Sequence, residues 1–438
     1  MISHWQRFVL VFSLAILSLS ARGEEVAMFR GNPAHTGVYD GPGIAHLSGV
    51  RWMFSAGGEL YSSPAAADRM IFIGSTNGNL YAIRQETGTQ VWKFETKGRI
   101  VSSPAVVAGL VYFNSYDSTF YAVDEFTGQL KWKFSTNGEL RFAAKHIHGM
   151  DPAPELMPDP FDFFLSSPVV ANGVVYFGSG DHYVYAVDAA TGALKWKFRT
   201  GDVVHATPAF ADNVLYVGSW DSYFYALNAN TGKQLWRFKT GEDQAIHNQI
   251  GIQSSAAVSE GIVYFGCRDS NLYSLDARHG EKKWVYNNKG SWVIGSPAVQ
   301  GGRVYFATSD SGLLHAVDAK SGANVFSAAT KWPMFSSPAL AGNMLYIGSH
   351  EGKLFAIDIS HKNLAWTFQT EGSKRNGSIY TKKDGSPDYD AAMASSFYDD
   401  VVTGIHKMFT AGAILASPIV VNNTVYFGST DGNVYALY

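Results

Sequence analysis

The sequence predicts an all-β protein folded as an eight-bladed β-propeller. Three observations support this prediction: a repeat of about 40 residues, short runs rich in Val, Tyr and Phe, and turn signals between the runs. The repeat joins Ser-Ser-Pro to Val-Tyr-Phe-Gly-Ser, Asp-x-x-x-Tyr-Ala-Val-Asp and Thr-Gly-x-x-x-Trp-x-Phe, most clearly over residues 166–198. Such runs are typical of strands, and no helical period occurs between them. Four short strands per repeat form one propeller blade.

Two features that occur once per repeat determine the number of blades. The first strand of each repeat follows Ser-Pro, Thr-Pro or, in one copy, Ser-Ala, at Pro64, Pro104, Pro168, Pro208, Ala256, Pro297, Pro338 and Pro418. The fourth strand carries an aromatic residue at Trp52, Trp92, Trp132, Trp196, Trp236, Trp284, Phe326 and Trp366. Trp52 precedes the first Pro, whereas the last repeat has no Trp strand. We therefore predict that the N-terminal strand, residues 50–54, completes the last blade and closes the ring.

The turns are predicted from pairs of small or polar residues at fixed places in the repeat. Ala108-Gly109, Asn172-Gly173 and Asp212-Asn213 lie between first and second strands, as expected for tight hairpins. Thr-Gly pairs mark the turn before the fourth strand, at residues 87–88, 127–128, 191–192 and 231–232.

Composition and the N-terminus indicate an exported, single-domain protein. Residues 1–23 have the pattern of a signal peptide, whose apolar run over 8–19 is too short to span a bilayer, so 24–438 form the propeller. Charged residues are only 16% of the chain and the net charge is −3, which does not favour nucleic-acid binding. Cys267 is the single cysteine and is expected to be buried. We expect a periplasmic or secreted monomer that is neither a lipoprotein nor an integral membrane protein.

The segment Ala-Val-Asp-Ala-Ala-Thr-Gly-Ala-Leu-Lys-Trp, residues 186–196, resembles the tryptophan-docking motif of the pyrroloquinoline-quinone (PQQ)-type propeller superfamily. Residues 28–37 are similar to the lead-in of its bacterial members. The resemblance implies that the motif's Trp and Gly join neighbouring blades. It also implies two possible functions. One branch is the PQQ-dependent alcohol dehydrogenases, which bind PQQ with calcium and use a disulfide of adjacent cysteines. The other is the scaffold propeller of the outer-membrane β-barrel assembly machinery, a lipoprotein.

Three insertions locate the expected functional face. Residues 138–165, 241–253 and 371–412 each lie between a Trp strand and the next first strand, so we expect all three at one mouth of the central channel. Within the first insertion, His146, His148 and Asp151 form a possible metal-ligand group. Within the third, residues 403–409 resemble a Trp strand in which Met408 replaces Trp, although no ninth blade is predicted.

Candidate site residues come from these insertions and from the innermost strands. His205 and Gln253 break the apolar pattern three residues before the Pro position. These two are candidate functional residues, or they bond only to neighbouring backbone. Candidate ligand-binding residues are Glu59, Tyr61, Arg99, Gln253, Trp292, Lys374 and Arg375. Candidate general bases are His205, His247 and His406. The aromatic side chains of Tyr61, Trp292, Trp332 and Phe335 are expected to stack on a sugar or a planar quinone.

Three functions remain open on the sequence. The first is a scaffold that binds a ligand or protein in the bacterial envelope, with an envelope protein or glycan as partner. The second is a PQQ-dependent oxidoreductase of alcohols or sugars, with PQQ and calcium as cofactors. The third is a carbohydrate-active enzyme with its site at the channel mouth. No Ser-His-Asp spacing, phosphate loop or complete metal motif decides between them.

Overall fold

The computed structural model describes residues 27–241 and 251–438 and confirms the eight-bladed all-β propeller. The predicted signal peptide and His247 lie outside the described residues. In each blade, four antiparallel strands run from the central channel outwards. Blades 1 to 4 are Ala65–Ala67, Met70–Gly74, Asn79–Arg84 and Gln90–Glu95; Ala105–Val107, Leu110–Ser115, Thr119–Asp124 and Leu130–Ser135; Val169–Ala171, Val174–Gly178, Tyr183–Asp188 and Leu194–Arg199; and Ala209–Ala211, Val214–Gly218, Tyr223–Asn228 and Gln234–Lys239.

Blades 5 to 7 are each built from four consecutive strands in the same way, whereas blade 8 takes its fourth strand from near the N-terminus. Blades 5 to 7 are Ala257–Ser259, Ile262–Gly266, Asn271–Asp276 and Lys282–Asn287; Ala298–Gln300, Arg303–Ala307, Leu313–Asp318 and Asn324–Ala329; and Ala339–Ala341, Met344–Gly348, Lys353–Asp358 and Asn363–Gln369. Blade 8 is Ile419–Val421, Thr424–Gly428 and Asn433–Leu437, with Val50–Ser55 as its fourth strand. Val50–Ser55 pairs antiparallel with Asn433–Leu437, so an N-terminal strand and the last strand of the chain lie in one sheet.

The hairpin turns have the left-handed backbone that their sequences predict. Ala108 and Gly109 have φ of 53° and 77°, and Asn172 and Gly173 have φ of 52° and 72°. Two successive positive φ angles are typical of the tight turns that match the twist of paired strands. The local sequence therefore determines how the first two strands of these blades connect.

Tryptophans of the fourth strands join neighbouring blades. Each indole N–H donates to a backbone carbonyl of the next blade or of the N-terminal segment: Trp52 to Gln85, Trp92 to Glu125, Trp132 to Ala189, Trp196 to Ala229, Trp236 to Ala277, Trp284 to Ala319 and Trp366 to Ile44. Gly192 of a Thr-Gly pair shows why a glycine is needed where the Trp ring packs on the turn of the next blade. Its φ is +73°, and a Cβ there would lie 2.5 Å from the Trp132 ring. Phe326 occupies the same position in blade 6 and has no indole N–H, so it cannot make this bond.

A closed ring of hydrogen bonds surrounds the channel. The residue before each Pro position supplies a hydroxyl that accepts the backbone N–H of its counterpart one blade earlier, at 2.8–3.2 Å. The ring consists of Ser63, Ser103, Ser167, Thr207, Ser255, Ser296, Ser337 and Ser417. Ser417 donates its N–H to Ser63, which links the last repeat to the first at 2.9 Å. This bond explains why every repeat has Ser or Thr here.

The N-terminal segment crosses the channel beyond this ring. The carbonyl groups of Pro33, Ala34, Thr36 and Gly37 accept backbone N–H groups from the innermost strands of four successive blades, 4 to 7. Val38–Tyr39 adds a short parallel strand to blade 7. Residues before the closing strand therefore fill the channel with their own backbone.

The third insertion contains helices, which corrects the sequence prediction. Helix α1 spans Glu371–Asn376 and helix α2 spans Tyr398–Phe409, with a 3₁₀ turn at Gly377–Ile379. Residues 403–409 therefore do not form a strand. Ile405, Met408 and Phe409 recur at helical spacing on the buried side of α2, and acidic residues occupy its first turn, a pattern that a search for strand repeats misses. No helix in the described ranges is long and apolar enough to cross a membrane.

Candidate functional site

The first and third insertions pack together over the channel mouth, and we call residues 138–165 and 371–412 the cap. The first insertion forms a hairpin of Ala143–Lys145 and Leu156–Pro158 around a 3₁₀ turn at Ile147–Gly149. Asp151 accepts the backbone N–H of Tyr398 at 2.9 Å and donates its own N–H to Ser396 at 3.1 Å. The Tyr398 hydroxyl donates to the carbonyl of Pro158 at 2.8 Å. These bonds join the hairpin to the start of helix α2.

Arg268 anchors the hairpin to the propeller. Its side chain is almost completely buried, and its guanidinium carbon lies 4.4 Å and 4.5 Å from the ring centroids of Trp220 and Trp292. Nη1 donates to Asp159 Oδ2 at 2.5 Å, while Nε and Nη2 donate to Gln253 Oε1. Burial would raise the pKa of Asp159, but Arg268 and His148 lower it well below its usual range. A buried charge pair thus connects the cap to blade 5.

A second buried cluster holds the same loop to blades 3 and 4. His205 Nδ1 lies 2.8 Å from Asp162 Oδ1, and its Nε2 lies 3.9 Å from Glu139 Oε2. Glu139 accepts hydrogen bonds from Ser179 Oγ and from the backbone of Gly180. Burial raises the pKa of Glu139 to about 7. Burial lowers the pKa of His205, but the Asp162 carboxylate outweighs it, so the net shift is upward.

His205 and Gln253, which lie just before the innermost strands of blades 4 and 5, therefore both bind the cap. His205 contacts Asp162, and Gln253 donates from Nε2 to the carbonyl of Phe161 at 3.1 Å while it accepts from Arg268. Their roles in the fold are specific, because each compensates a buried polar group of the inserted loop. His205 as a catalytic base stays a prediction.

A cavity of about 390 Å³ lies between the cap and the channel mouth. Aromatic and apolar side chains dominate its lining, which consists of His146, His148, Gly149, Phe161, Trp292, Asp310, Trp332, Pro333, Phe335, His350, Tyr389, Met393, Ile405, Met408 and Phe409. Trp292, Trp332 and Phe335 are three of the aromatic residues that the sequence placed at the mouth. The size and the mixture of aromatic walls with few polar groups are typical of small-molecule sites.

Three buried ring nitrogens at this cavity lack a hydrogen-bond partner in the described part of the chain. They are Nε1 of Trp292, Nε1 of Trp332 and Nε2 of His350. Burial lowers the pKa of His350 to about 3, so its ring is neutral at physiological pH. The lining contains no Lys or Arg, and its one carboxylate residue, Asp310, is exposed at the rim. Among the described residues, the cavity is therefore polar at isolated points and has no Lys or Arg for an acidic ligand.

Three predicted residues meet at a separate, smaller recess. Tyr61, Arg99 and His406 line a space of about 30 Å³ together with Arg141 of the cap. The Tyr61 hydroxyl donates to Glu59 Oε2 at 2.7 Å. The Arg99 guanidinium lies 4.6 Å from the Tyr116 ring. Glu59, Tyr61, Arg99 and His406 thus form a group, but this recess is too small to hold a ligand as the structure stands.

The remaining predicted residues either lie away from the cavity or do not form the metal-ligand group that the sequence suggested. Lys374 and Arg375 lie exposed on helix α1, where Lys374 pairs with Glu371 at 2.7 Å. His146 and His148 line the cavity, whereas Asp151 bonds to Ser396 at the hairpin–helix junction. Over residues 27–241 and 251–438, no three His, Cys, Asp or Glu side chains are arranged to hold a metal ion.

The lumen below the cavity is nearly filled. Its remaining space is about 40 Å³, bordered by the hydroxyl ring, Tyr61, His205, Gln253 and Phe29 of the crossing segment. Phe163 and Leu165 of the cap pack into an apolar cluster with Ile294 and Phe409. Cys267 is buried, and burial raises the pKa of its thiol. On the capped side of the channel, the space for a ligand is therefore the cavity under the cap. A more open space of about 440 Å³ lies elsewhere, between the N-terminal segment and the first strands of blades 1 and 8.

Sequence reasoning missed Arg268, Asp159, Asp162 and His350. One signal was present in the repeat. The second strand of each repeat leads into a segment that reads Gly-Ser-x-Asp in blades 3, 4 and 8 and a close variant of it in the others. Its variable position carries Thr76, Tyr116, Gly180, Trp220, Arg268, Ser309, His350 and Thr430. Tyr116, Trp220, Arg268 and His350 are unusually large for this place and all lie at the mouth or beside it. No comparable signal marks Asp159 and Asp162, because the path of the inserted loop is irregular.

Comparison with known families assigns the chain to one of them. A sequence profile of the family described as outer membrane protein assembly factor BamB matches residues 45–153, 151–292 and 288–382. The chain belongs to this family. A comparison with curated proteins finds no match in sequence.

Solved structures of both branches share the BamB-family fold of this chain. BamB from Moraxella catarrhalis has a TM-score of 0.63 at 14% identity, covering 89% of this chain and 97% of its own. Quinohemoprotein alcohol dehydrogenase from Comamonas testosteroni has a TM-score of 0.65 at 15% identity, covering 94% and 80%. Europium-containing methanol dehydrogenase has a TM-score of 0.64 at 13% identity, covering 92% and 90%. At these identities the likeness shows the fold alone.

Proposed function

We propose that the protein is a binding scaffold of the bacterial envelope that works through the capped channel mouth. Membership of the BamB family supports an envelope location and a role beside outer-membrane assembly factors. A predicted signal peptide over residues 1–23 agrees with export to the periplasm or beyond. In this proposal the propeller is a rigid support that holds the cap and its cavity in place for a binding partner.

The observation that carries the proposal is the charge of the cavity lining. PQQ carries three carboxylates, and calcium requires several oxygen ligands. The lining has no Lys or Arg to pair with those carboxylates and only one carboxylate residue, Asp310. Arg268 is close by, but its donors are already taken by Asp159 and Gln253. These residues do not suit PQQ with calcium, which favours a scaffold over a quinone-dependent dehydrogenase.

The surface of the cap also supports a binding role. Leu156 of the hairpin is 67% exposed, and Leu140 and Phe397 are each 57% exposed. Large apolar side chains presented by loops on a rigid support are typical of contact surfaces. We propose that they contact a protein component of the outer-membrane assembly machinery.

The first experiment separates the scaffold from the dehydrogenase. The purified mature protein is mixed with PQQ and calcium, and its native mass, near-ultraviolet absorbance and dye reduction with alcohols or sugars are recorded. We expect no bound quinone and no dye reduction. A quinone absorbance band that remains after buffer exchange, together with dye reduction, would instead establish the oxidoreductase function.

The second experiment tests the envelope role directly. The gene is deleted in its native host, and the fraction of folded outer-membrane β-barrel protein is measured by heat-modifiable gel migration. We expect a decrease that the intact chain restores. A chain with Leu156→Ser and Phe397→Ser should fail to restore it, whereas the matched control with Leu235→Ser and Leu364→Ser, which alters equally exposed residues on outer strands, should succeed. Unchanged assembly after deletion would refute the proposal.

A further inference from the structure

We propose that the cavity under the cap binds a neutral pyranose unit of an envelope glycan. This inference rests on the proposed function and adds the class of ligand that the scaffold recognises. It is based on three features of the cavity: unpaired buried donors, an acidic residue without the partner its counterparts have, and aromatic walls without a cation.

The unpaired donors require a polar ligand. Trp332 has no measurable exposure and Trp292 is only 4% exposed, yet neither indole N–H has a partner in the described chain. The Trp residues of the fourth strands, such as Trp92 and Trp132, donate to backbone carbonyls. Trp220, which stacks on Arg268 outside the cavity lining, also lacks an acceptor for its indole N–H in the described chain. A buried donor without an acceptor is costly. Ring and hydroxyl oxygens of a sugar would accept from Trp292 and Trp332, and a sugar hydroxyl would pair with Nε2 of the neutral His350 in either tautomer, whereas a purely apolar ligand would leave all three unpaired.

Asp310 differs from its counterparts in five other blades. At this repeat position, an Asp accepts a hydrogen bond from the hydroxyl of a Tyr four residues later, at 2.5–2.7 Å, in the pairs Asp117–Tyr121, Asp181–Tyr185, Asp221–Tyr225, Asp269–Tyr273 and Asp431–Tyr435. In blade 6 the turn is one residue longer, so the counterpart of the Tyr is His315, whose Nδ1 contacts Ser327 and not Asp310. Asp310 lines the cavity and, among the described side chains, accepts only from the neighbouring Ser309 hydroxyl, to Oδ2 at 3.2 Å, so its carboxylate has room to accept sugar hydroxyls.

The walls suit a sugar ring that carries no acid group. Trp292, Trp332, Phe335 and Phe409 line the cavity, and the apolar C–H face of a pyranose packs on aromatic rings. An acidic sugar would place its carboxylate near Asp310 with no Lys or Arg in the lining to balance it. A volume of about 390 Å³ is in the range of small-ligand pockets. Together these features select a neutral mono- or disaccharide unit.

Binding of a defined sugar panel tests the inference. Ligand-observed NMR is recorded on the mature protein with neutral hexosides, 6-deoxyhexosides and N-acetylhexosaminides, and hits are titrated by calorimetry. Methyl β-D-glucopyranoside and methyl β-D-glucuronide form a matched pair that differs only at the carboxylate. We expect at least one neutral pyranoside to bind and its uronide counterpart to bind at least ten-fold more weakly. No binding by any neutral sugar, or tighter binding by uronides, would overturn the inference.

Two substitutions show whether the cavity is the site. Trp332→Phe removes the indole N–H but keeps an aromatic ring, and Asp310→Asn removes the charge at the rim. Each should weaken binding of the best sugar about three- to ten-fold. Trp236→Phe is the matched control, because Trp236 donates to Ala277 between blades, away from the cavity. It should lower the unfolding temperature and leave sugar affinity unchanged. Sugar binding that neither cavity variant weakens would place the site elsewhere.

The two proposals fail in different ways. If no sugar binds but deletion of the gene still impairs outer-membrane assembly, the scaffold function stands and the sugar inference is wrong. If sugar binds and the Trp332→Phe variant weakens it while assembly is unaffected by deletion, the cavity assignment stands and the proposed envelope partner is wrong.

Discussion

At the scale of single residues, the buried guanidinium of Arg268 is the most consequential group in the molecule. It stacks between Trp220 and Trp292 and donates to Asp159 and Gln253, so one side chain connects three blades and the cap. A buried ion pair contributes little net stability by itself, but removal of one partner is expensive because the other charge stays buried. Asp159 depends on Arg268 in this way, with His148 as its second neighbour.

Replacement of Arg268 tests this dependence. Arg268→Met should destabilise the protein by about 3–5 kcal/mol, because the Asp159 carboxylate loses its main partner while it remains buried. The double variant Arg268→Met with Asp159→Asn should recover a substantial part of that loss. Urea unfolding of the wild type, both single variants and the double variant gives the coupling free energy. Equal destabilisation of the Arg268→Met single variant and the double variant would show that the charge pair is not the cause.

At the scale of elements, the inserted hairpin depends on hydrogen-bond partners in the segments that lead into the innermost strands. His205 of blade 4 and Gln253 of blade 5 depart from the apolar pattern of their position, and each bonds to the loop between residues 159 and 162. The hairpin in turn bonds to the start of helix α2. Glu139 of the cap and His205 of blade 4 face each other across 3.9 Å, so two titratable groups meet where the cap contacts the propeller.

Stability should fall as pH rises through the range in which this cluster titrates. The pKa of Glu139 is about 7 in the folded protein against 4.5 for an ordinary Glu, so the folded state binds its proton more tightly. Its contribution is present below about pH 4.5 and is lost by about pH 7, a change on the order of 3 kcal/mol. The raised pKa of His205 acts in the same direction, since stability from its protonation is lost as pH rises through the folded value.

Thermal unfolding between pH 4.5 and 8 measures this effect. The wild type should lose stability across the range relative to Glu139→Gln, which cannot ionise at this position. Glu95→Gln, at an exposed position on the fourth strand of blade 1, should follow the wild type. Parallel curves for the wild type and Glu139→Gln would mean that Glu139 does not titrate in this range.

At the scale of the whole molecule, three sets of bonds hold the eight blades in a ring. Indole N–H groups join outer strands to the neighbouring blade, the hydroxyl ring joins the innermost strands, and Val50–Ser55 completes blade 8. Trp366 has no Thr-Gly turn to bind in blade 8, and it donates instead to Ile44 of the N-terminal segment at 2.9 Å. Residues 44–55 therefore supply both the acceptor for the Trp366 indole and the fourth strand of blade 8.

Truncation tests the contribution of the closing strand. A chain that begins at residue 57 leaves the edge of Asn433–Leu437 unpaired, and we expect it to self-associate or to lose cooperative unfolding. A chain that begins at residue 41 is the control, because it keeps Ile44 and the closing strand and lacks only the segment that crosses the channel. Light scattering after size-exclusion chromatography should show a monomer for the control. If both chains have the same mass and unfolding curve, the strand is not needed for closure.

The sequence alone was sufficient to predict the fold because local sequence patterns specify each strand and turn of the propeller. Alternating strands, tight turns such as Asn172-Gly173 and the repeated Ser-Pro and Trp positions each depend on residues close together in the chain. The insertions were located by the same spacing. Helix α2 was missed since it occurs once, outside the repeat, and its amphipathic pattern has meaning only where the channel mouth offers a surface to cover.

The site was predicted only in part, since its geometry depends on residues from distant repeats. Trp292, Trp332 and Phe335 could be placed at the mouth because their register in the innermost strands determines where they lie. By contrast, Lys374 and Arg375 lie outside the cavity, since helix α1 directs them to the surface. By itself the sequence determined blade number, strand order and the face that carries the insertions. Only the tertiary structure decided which side chains meet, because the partners Arg268 and Asp159 are brought together by the packing of an irregular loop that no repeat encodes.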